Sequence, residues 1–383
     1  MKNETQTDKA GNSQKEQDST TWKESPFLLI KGFLMGSADI VPGVSGGTMA
    51  LIVGIYSRLI HAIKSFDSKF IKDLLTFRIS SALTGVHWRF MTILLAGIFS
   101  AILFFTKVVP LQVYMFTDPE LIYGLFFGLI IGSIVVLLKA LESFGWWHAF
   151  FVLVGTLIGF WVVTLVPTET SESPFFVFLS GSVAICAMVL PGISGSYILL
   201  ILRKYDFILT QIGKLGTVDT VDGLLAILPF ALGALAGLAL FTRLLSWLLD
   251  HYYVQTIAVL IGFLIGSLYV IWPYQDRSYE EFVTQTDVIE YTGERAKTLR
   301  ENPPDKNRPT YVRLGEVINP DATYDELKQV QLETVKKKLV KSDPYIPYIT
   351  REDAGTEHFW PGLTGIAIGL ILVIGLDFLR KWN

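Results

Sequence analysis

The sequence predicts an all-α polytopic membrane protein, an inverted repeat of two halves that each hold a re-entrant (broken) helical hairpin and three transmembrane helices. The first observation is composition: of 383 residues, 51% are hydrophobic and 17% are charged, with a mean hydropathy of +0.46. The second is a series of apolar stretches of about twenty residues, long enough to cross a bilayer. The third is a motif, PGxSG, that occurs inside two apolar segments.

The segments follow one another in a regular order. Residues 1–25 are polar and mixed in charge, which predicts a disordered cytoplasmic tail rather than a signal peptide. The first half, 26–166, starts with a segment broken at Pro42 and continues through an amphipathic stretch, 64–90, that is expected to be an interfacial helix. The second half covers 175–275 and 359–383. Unbroken spans are expected near 91–112, 118–139, 145–166, 226–248, 252–275 and 359–380.

A polar insert, 276–358, separates the last two spans. It contains DELKQVQLETVKKKL, which has a helical pattern, and several prolines. We expect a small, partly ordered cap on the outer side of the membrane. Contacts of this insert with extracytoplasmic partners stay open, as does a homo-oligomeric state.

The two broken segments are copies of one unit. PGVSGGTMALIVGIY at 42–56 aligns without gaps on PGISGSYILLILRKY at 191–205, an offset of 149 residues. A shared PGxSG does not arise from hydropathy alone. The identical pairs include Pro42/Pro191, Gly43/Gly192, Ser45/Ser194, Gly46/Gly195, Ile52/Ile201 and Tyr56/Tyr205.

Charges near the membrane predict the orientation, because cytoplasmic loops are enriched in Lys and Arg. The 64–90 stretch carries five basic residues against two acidic ones, and the 167–174 turn carries two acidic residues and no basic one. The first broken segment then enters from the cytoplasm and the second from outside. Both termini are cytoplasmic and the insert is external. Three basic residues would lie toward the outer side and so break this charge pattern: Arg203, Lys204 and Lys214. Either they are retained for a function or the topology differs there.

The breaks themselves suggest an anion-binding site. Unpaired backbone at membrane depth is tolerated where it is buried in protein or lines a wet cavity. Helix starts present free N–H groups and the positive end of the helix dipole, which suit phosphate. Glycines allow close approach and hydroxyls donate. The candidate binding residues are Pro42, Gly43, Ser45, Gly46, Gly47, Thr48, Pro191, Gly192, Ser194, Gly195 and Ser196.

Charged and aromatic residues beside the breaks add further candidates. Asp39 lacks a counterpart in the second half, and it either carries a coupling proton or cation or caps the following half-helix. Arg203 is expected to contact the phosphate, since arginine forms bidentate bonds with it. Arg58, Tyr56 and Tyr205 are weaker candidates, and Arg58 fits snorkelling to the interface better.

Other features of the sequence are explained by helix packing or indicate no binding site. The small-residue stripes GLFFGLIIGS at 124–133 and GALAGLALF at 233–241 are assigned to close helix packing. The five histidines are scattered without metal-ligand spacing, so no metal or other cofactor is expected. No basic cluster suggests nucleic acid, and the lone Cys186 excludes an internal disulfide.

DIVPGVSGGTMA with the following GIY, and LPGISGS in the second half, resemble the polyprenyl-phosphate (undecaprenyl phosphate) transporter family of bacteria and archaea, formerly a family of unknown function. The resemblance covers roughly 26–275 and 359–380, and the 276–358 insert departs from it. It implies a multi-pass protein of the bacterial cytoplasmic membrane. This protein would return undecaprenyl phosphate from the outer to the cytoplasmic leaflet for reuse as a lipid carrier in cell-wall biogenesis.

Three functional hypotheses follow. The first is a lipid-phosphate translocase that holds the phosphate between the two PGxSG turns, with the bilayer and the polyprenyl phosphate as its partners. The second is a transporter or channel for small inorganic anions. The third is a membrane lipid phosphatase, which would need a nucleophile with an acid–base partner. No such His or Cys pairing is evident in the sequence, so a non-enzyme is expected.

Overall fold

The computed structural model describes residues 20–40, 45–141, 144–165, 170–214, 216, 218–306, 308–318, 328–349 and 356–382. The chain forms two compact units. Unit 1 consists of Met1–Leu103 and Leu141–Gly266, and unit 2 of Phe104–Ala140 and Ser267–Asn383. Residues 1–19 of the predicted tail lie outside the described residues.

Helices dominate both units. In chain order they are α1 Ser25–Asp39, α2 Gly46–Ile52, α3 Tyr56–Lys64, α4 Ser68–Leu75, α5 Ile79–Thr84, α6 Trp88–Lys107, α7 Leu111–Thr117, α8 Pro119–Ala140, α9 Trp146–Val163, α10 Pro174–Val189, α11 Gly195–Ile201, α12 Tyr205–Gly213, α13 Thr220–His251, α14 Tyr253–Ser267, α15 Glu294–Glu301 and α16 Thr356–Trp382. The strands are β1 Gln275–Glu290, β2 Thr310–Ile318 and β3 Gln329–Pro344.

Within the described residues, five helices are long and apolar enough to cross a membrane: α6, α8, α9, α13 and the His358–Gly375 part of α16. The prediction of a multi-pass membrane protein is confirmed. The predicted span at 252–275 corresponds to α14, which has only 15 residues. The predicted span at 226–248 lies inside α13, a longer helix of 32 residues that contains Pro229.

The helices on either side of the two motifs recur at the offset of the sequence repeat. Helix α2 and helix α11 each have seven residues and begin at Gly46 and Gly195. Helix α3 and helix α12 each have nine and begin at Tyr56 and Tyr205. The same series of a longer helix, a break and two short helices therefore occurs twice. The inversion of the two halves and the re-entrant course of the broken segments remain predictions.

Small residues bring helix backbones together in both units. In unit 1, Gly233 of α13 packs on the backbone of Phe178 in α10. In unit 2, Gly124 of α8 packs on the backbone of Gly362 in α16, and Gly128 packs on that of Ile366. Any side chain at these glycines would overlap the facing carbonyl oxygen. The packing role predicted for both stripes is confirmed.

The all-α prediction is wrong, because the insert forms a three-stranded antiparallel sheet in the order β1-β3-β2. The segment with the predicted helical pattern is mostly strand β3, and its residues 325–327 lie outside the described part. Its Val330 and Leu332 are buried with a spacing of two and pair with Val317 and Leu314 of β2. Further along β3, Lys337 pairs with Glu281 of β1, while Lys336 pairs with Phe282. Long-range pairing thus overrides a local pattern of helix-forming residues.

The 64–90 stretch is also not one interfacial helix. Helices α4 and α5 are separated by Phe77, which has a φ of 56°. The N–H of Phe77 donates to Leu74 O, and that of Arg78 donates to Asp73 O. These two bonds form a C-terminal cap with one left-handed residue, which ends α4.

Candidate functional site

The first motif (residues 42–48) follows the end of α1 in unit 1. Its Pro42 and Gly43 lie in 41–44, outside the described residues. Ser45 is extended and accepts a hydrogen bond from the N–H of Gly47 at 3.2 Å. The carboxylate of Asp39 accepts the N–H of Gly46 at 2.7 Å. Side chains of the protein itself therefore satisfy the start of α2, and Asp39 makes the capping contact that the sequence left as one of two alternatives.

Both glycines of the first motif approach protein groups closely. A Cβ atom at position 46 would lie 2.6 Å from both carboxylate oxygens of Asp39. A Cβ atom at position 47 would lie 2.9 Å from the carbonyl oxygen of Val189. These glycines make room for Asp39 and for the second break.

The end of α10 receives hydrogen bonds from side chains that follow the first break. A helix end leaves carbonyl groups without intrahelical partners. The Ser45 hydroxyl lies within 3.4 Å of the carbonyl oxygens of Met188 and Leu190. The Tyr56 hydroxyl donates to Val189 O at 3.1 Å. The two breaks therefore meet, and side chains of the first half cap a helix of the second.

Thr48 completes this contact between the breaks. Its hydroxyl oxygen accepts the N–H of Gly192 at 2.8 Å, and Thr48 is fully buried. Gly192 has a φ of +87°, and a Cβ atom there would lie 2.8 Å from the carbonyl oxygen of Phe263. We call the hydroxyl contacts of Ser45, Thr48 and Tyr56 with residues 188–192 the inter-motif latch.

The second motif (residues 191–196) leaves more of its donors available. Pro191, Gly192 and Gly195 are buried, Ser194 is partly buried and Ser196 is exposed. The hydroxyls of Ser194 and Ser196 bond to each other at 2.8 Å. In the described part of the chain, no side chain caps α11. The first N–H groups of α11 and one serine proton are the donors that remain at this break.

Arg203 follows α11 in a strained backbone conformation. Its φ is 54°, and the matching residue after α2 is Gly54, with a φ of 73°. The same two backbone hydrogen bonds close both turns. The N–H groups of residues 54 and 203 donate to Leu51 O and Leu200 O, and the N–H group of the next residue donates to the carbonyl oxygen five residues before it. The Arg203 side chain is exposed. An arginine occupies a position that favours glycine, which motivates a functional hypothesis.

Lys204 is a buried cation that the sequence analysis noted for its charge but did not predict to be buried. It is 2% exposed, its Nζ donates to the carbonyl oxygen of Thr170 at 2.9 Å, and it lies 5.7 Å from the Phe207 ring centroid. The repeat contained the signal, because the matching residue is Ile55, which is 3% exposed. Because the alignment of the halves pairs Lys204 with an apolar residue, it indicates that the side chain at 204 is buried in the protein.

The weaker candidates lie elsewhere. Arg58 donates to the Thr20 hydroxyl at 2.7 Å, and its guanidinium is 3.5 Å from the Glu24 carboxylate. It therefore ties α3 to the segment before α1. Tyr56 belongs to the latch, and Tyr205 begins α12 as Tyr56 begins α3.

A polar network ties α3 to α13. His61 lies 3.2 Å from Asp250, Lys64 donates to Ser246 at 2.8 Å, and the Ser246 hydroxyl donates to Asp250 at 3.3 Å. Across the described residues, no three His, Cys, Asp or Glu side chains gather as a metal site requires.

The long apolar helices and the paired helix breaks define a multi-pass membrane protein with polar motifs inside apolar segments. Residues 35–288 match the family described as undecaprenyl phosphate translocase-like, and the chain belongs to this family. The expected family relationship is thereby confirmed. The match includes both motifs and ends within β1.

Two relatives carry the name polyprenyl-phosphate transporter. The one from Vibrio cholerae is 35% identical over 247 residues, which cover 64% of this chain and 77% of the relative. The one from Staphylococcus aureus is 32% identical over 259 residues, covering 64% of this chain and 85% of the relative. Both are named as transporters rather than as enzymes, in agreement with the non-enzyme prediction. No solved structure matches the chain.

Proposed function

We propose that this protein moves a polyprenyl phosphate, undecaprenyl phosphate above all, across the cytoplasmic membrane from the outer to the inner leaflet. The observation that carries the proposal is the family match over residues 35–288, which spans both motifs. The names of the two relatives support the substrate class. The apolar helices suit a lipid whose polyprenyl chain stays in the bilayer while its phosphate enters the protein.

The phosphate-binding site is proposed at the meeting point of the two motifs, with unequal roles. The second motif supplies the ligand contacts: the hydroxyls of Ser194 and Ser196, the first N–H groups of α11 and, from the following turn, the guanidinium of Arg203. The first motif holds this arrangement through the inter-motif latch. Its own helix start is already bonded to Asp39, our candidate for the coupling group.

Transport of an intact lipid is the central test. Purified protein in vesicles is expected to move undecaprenyl phosphate between leaflets and to leave it chemically unchanged. Leaflet-resolved detection of the lipid and an assay for released inorganic phosphate would be made on the same vesicles. Phosphate release abolished by a single substitution in the membrane part would favour the phosphatase alternative. Uptake of free phosphate without lipid movement would favour the inorganic-anion transporter.

The proposed topology puts the insert outside and the 64–90 stretch inside. In a Cys186→Ser background, Thr286→Cys on exposed strand β1 should react with an impermeant maleimide on whole cells, with any outer membrane permeabilised. The matched control, Lys69→Cys on exposed α4, should react only after the inner membrane is opened. The reverse labelling pattern would refute the orientation and, with it, the inverted repeat.

A further inference from the structure

A guanidinium group in unit 2 has buried N–H groups that find no acceptor in the part of the chain that the structure describes. Arg277 is the third residue of β1, and its Nε, Nη1 and Nη2 atoms are all buried without a hydrogen-bond partner among the described residues. Its central carbon lies 4.1 Å from the ring centroid of Tyr123 in α8. The ring face attracts the charge, but the N–H groups in the guanidinium plane still need acceptors. Buried donors without acceptors are rare and costly, so an acceptor beyond the described residues is indicated.

A second arginine in the same sheet shows the contrast. Arg313 of β2 donates through Nε to Glu333 at 2.8 Å and through Nη1 to Glu281 at 3.2 Å. Both of these partners belong to the sheet. Within the described residues, the sheet therefore supplies carboxylates for Arg313 and none for Arg277.

Two helix N-termini lie beside Arg277. Helices α8 and α16 run parallel, because Gly124 packs on Gly362 and Gly128 on Ile366. Their first turns are joined by Glu120 and His358, whose carboxylate oxygen and Nδ1 are 3.4 Å apart. With 22 and 27 residues, both helices direct a partial positive charge to this end. Glu120 offsets part of that charge but contacts His358, and no carboxylate of the described residues contacts Arg277.

Tyr279 provides a neutral donor in the same cluster. Burial raises its pKa to about 12, with the Tyr123 and Glu120 side chains adding to the rise and the Arg277 charge opposing it. The hydroxyl therefore stays protonated at neutral pH. It can donate a hydrogen bond to an anion that also contacts Arg277.

Aromatic side chains around the start of α16 are of the kind expected at the level of lipid head groups. The Trp272 indole donates to Tyr345 O at 2.8 Å, and the Tyr274 hydroxyl donates to Phe359 O at 2.8 Å. Trp360, next to Phe359, is 57% exposed. Tryptophan and tyrosine rings of this kind are typical of the membrane–water interface.

We propose that Arg277, with Tyr279 and the N-termini of α8 and α16, binds the phosphate group of a lipid head group. A guanidinium matches the oxygens of a phosphate through parallel hydrogen bonds, and phosphate is the oxyanion that the head-group layer supplies. The side chain of His358, beside Glu120, is 57% exposed, and the proposed entry of the ligand is on this side of the cluster. The site lies in unit 2, whereas both motifs lie in unit 1, so it does not depend on the transport proposal.

Amide hydrogen exchange of the full chain in a neutral detergent tests the site locally. Dodecyl phosphate should slow exchange at least threefold in peptides covering 117–124 and 274–280. Arg277→Leu should abolish this protection or shift its half-saturation at least tenfold. Arg313→Leu, the matched control, should keep the protection although it loses two ion pairs. Peptides covering 188–203 report on the motif site separately, so failure of one proposal leaves the other intact.

The source of the phosphate is decided by a second probe. Protection by dodecyl phosphate but not by inorganic phosphate at the same concentration would assign the site to lipids, and protection by both would assign it to phosphate in general. Arg277→Lys keeps the charge without the planar donors and should bind dodecyl phosphate several-fold more weakly. This variant replaces Arg277→Leu in the test if the leucine variant does not fold. Equal protection in native protein and both Arg277 variants, or none in native protein, would overturn the proposal.

Discussion

Replacing Arg203 with glycine is expected to remove most transport while leaving the fold at least as stable as before. Arg203 has a φ of 54° in a turn whose copy in the first half uses Gly54. Left-handed backbone costs an L-residue about 1 kcal/mol relative to glycine. Arg203→Gly relieves this strain and deletes an exposed guanidinium. A loss of transport in this variant therefore cannot be explained by unfolding.

The expected loss is large. Hydrogen bonds to charged groups contribute about 1.5–3 kcal/mol each, which corresponds to roughly ten- to hundred-fold in affinity. Vesicle transport of undecaprenyl phosphate and thermal unfolding would be measured on the same preparations. Arg203→Lys, which keeps the charge and the backbone strain, should retain an intermediate activity. Native-like transport by Arg203→Gly would show that the arginine is only an interfacial anchor.

Local chemistry made the two breaks predictable. Proline and clustered glycines stop a helix wherever they occur, so the breaks near Pro42 and Pro191 could be inferred from the sequence. The ungapped repeat also predicts matching helix boundaries, and α2 and α11 do begin at matching residues. Hydropathy identified the long helices because about twenty consecutive apolar residues match the thickness of the hydrocarbon core of a bilayer.

Tertiary contacts explain what the sequence could not show. The motifs look equivalent, yet Ser45 bonds across to the end of α10, whereas its counterpart Ser194 bonds to Ser196. Only packing decides that difference. Adjacent residues also diverge: the side chain of Arg203 is exposed and that of Lys204 is buried. Strand β3 likewise follows from partners that are distant in sequence.

The close contacts of the glycines limit their use as probes of ligand binding. A valine at position 46 would collide with the Asp39 carboxylate, and one at position 195 would meet the carbonyl oxygen of Ala184, 2.6 Å from the Cβ position. Both changes would disturb the protein before any ligand arrives. Hydroxyl deletions, which add no volume, separate the two motifs better.

Thr48→Val is expected to damage the fold, whereas Ser194→Ala with Ser196→Ala should damage phosphate binding alone. Valine matches the shape of threonine but leaves the buried N–H of Gly192 without its acceptor at 2.8 Å. An unpaired buried donor costs about 1–3 kcal/mol. The serine pair is partly exposed, and within the described residues its two hydroxyls bond to each other. Its removal should cost little stability but weaken binding roughly ten-fold or more.

Thermal unfolding and the dissociation constant for undecaprenyl phosphate would be measured for each variant. Thr48→Ser keeps the acceptor oxygen and is the matched control, so it should melt and bind nearly as the native protein does. The combined variant Thr48→Val with both serine changes should show coupled rather than additive losses in binding, because the latch positions the serines. If Thr48→Val folds normally and loses binding, Thr48 acts on binding rather than on stability, by positioning the second motif. Additive losses would mean that the motifs act separately, and the shared site would have to be abandoned.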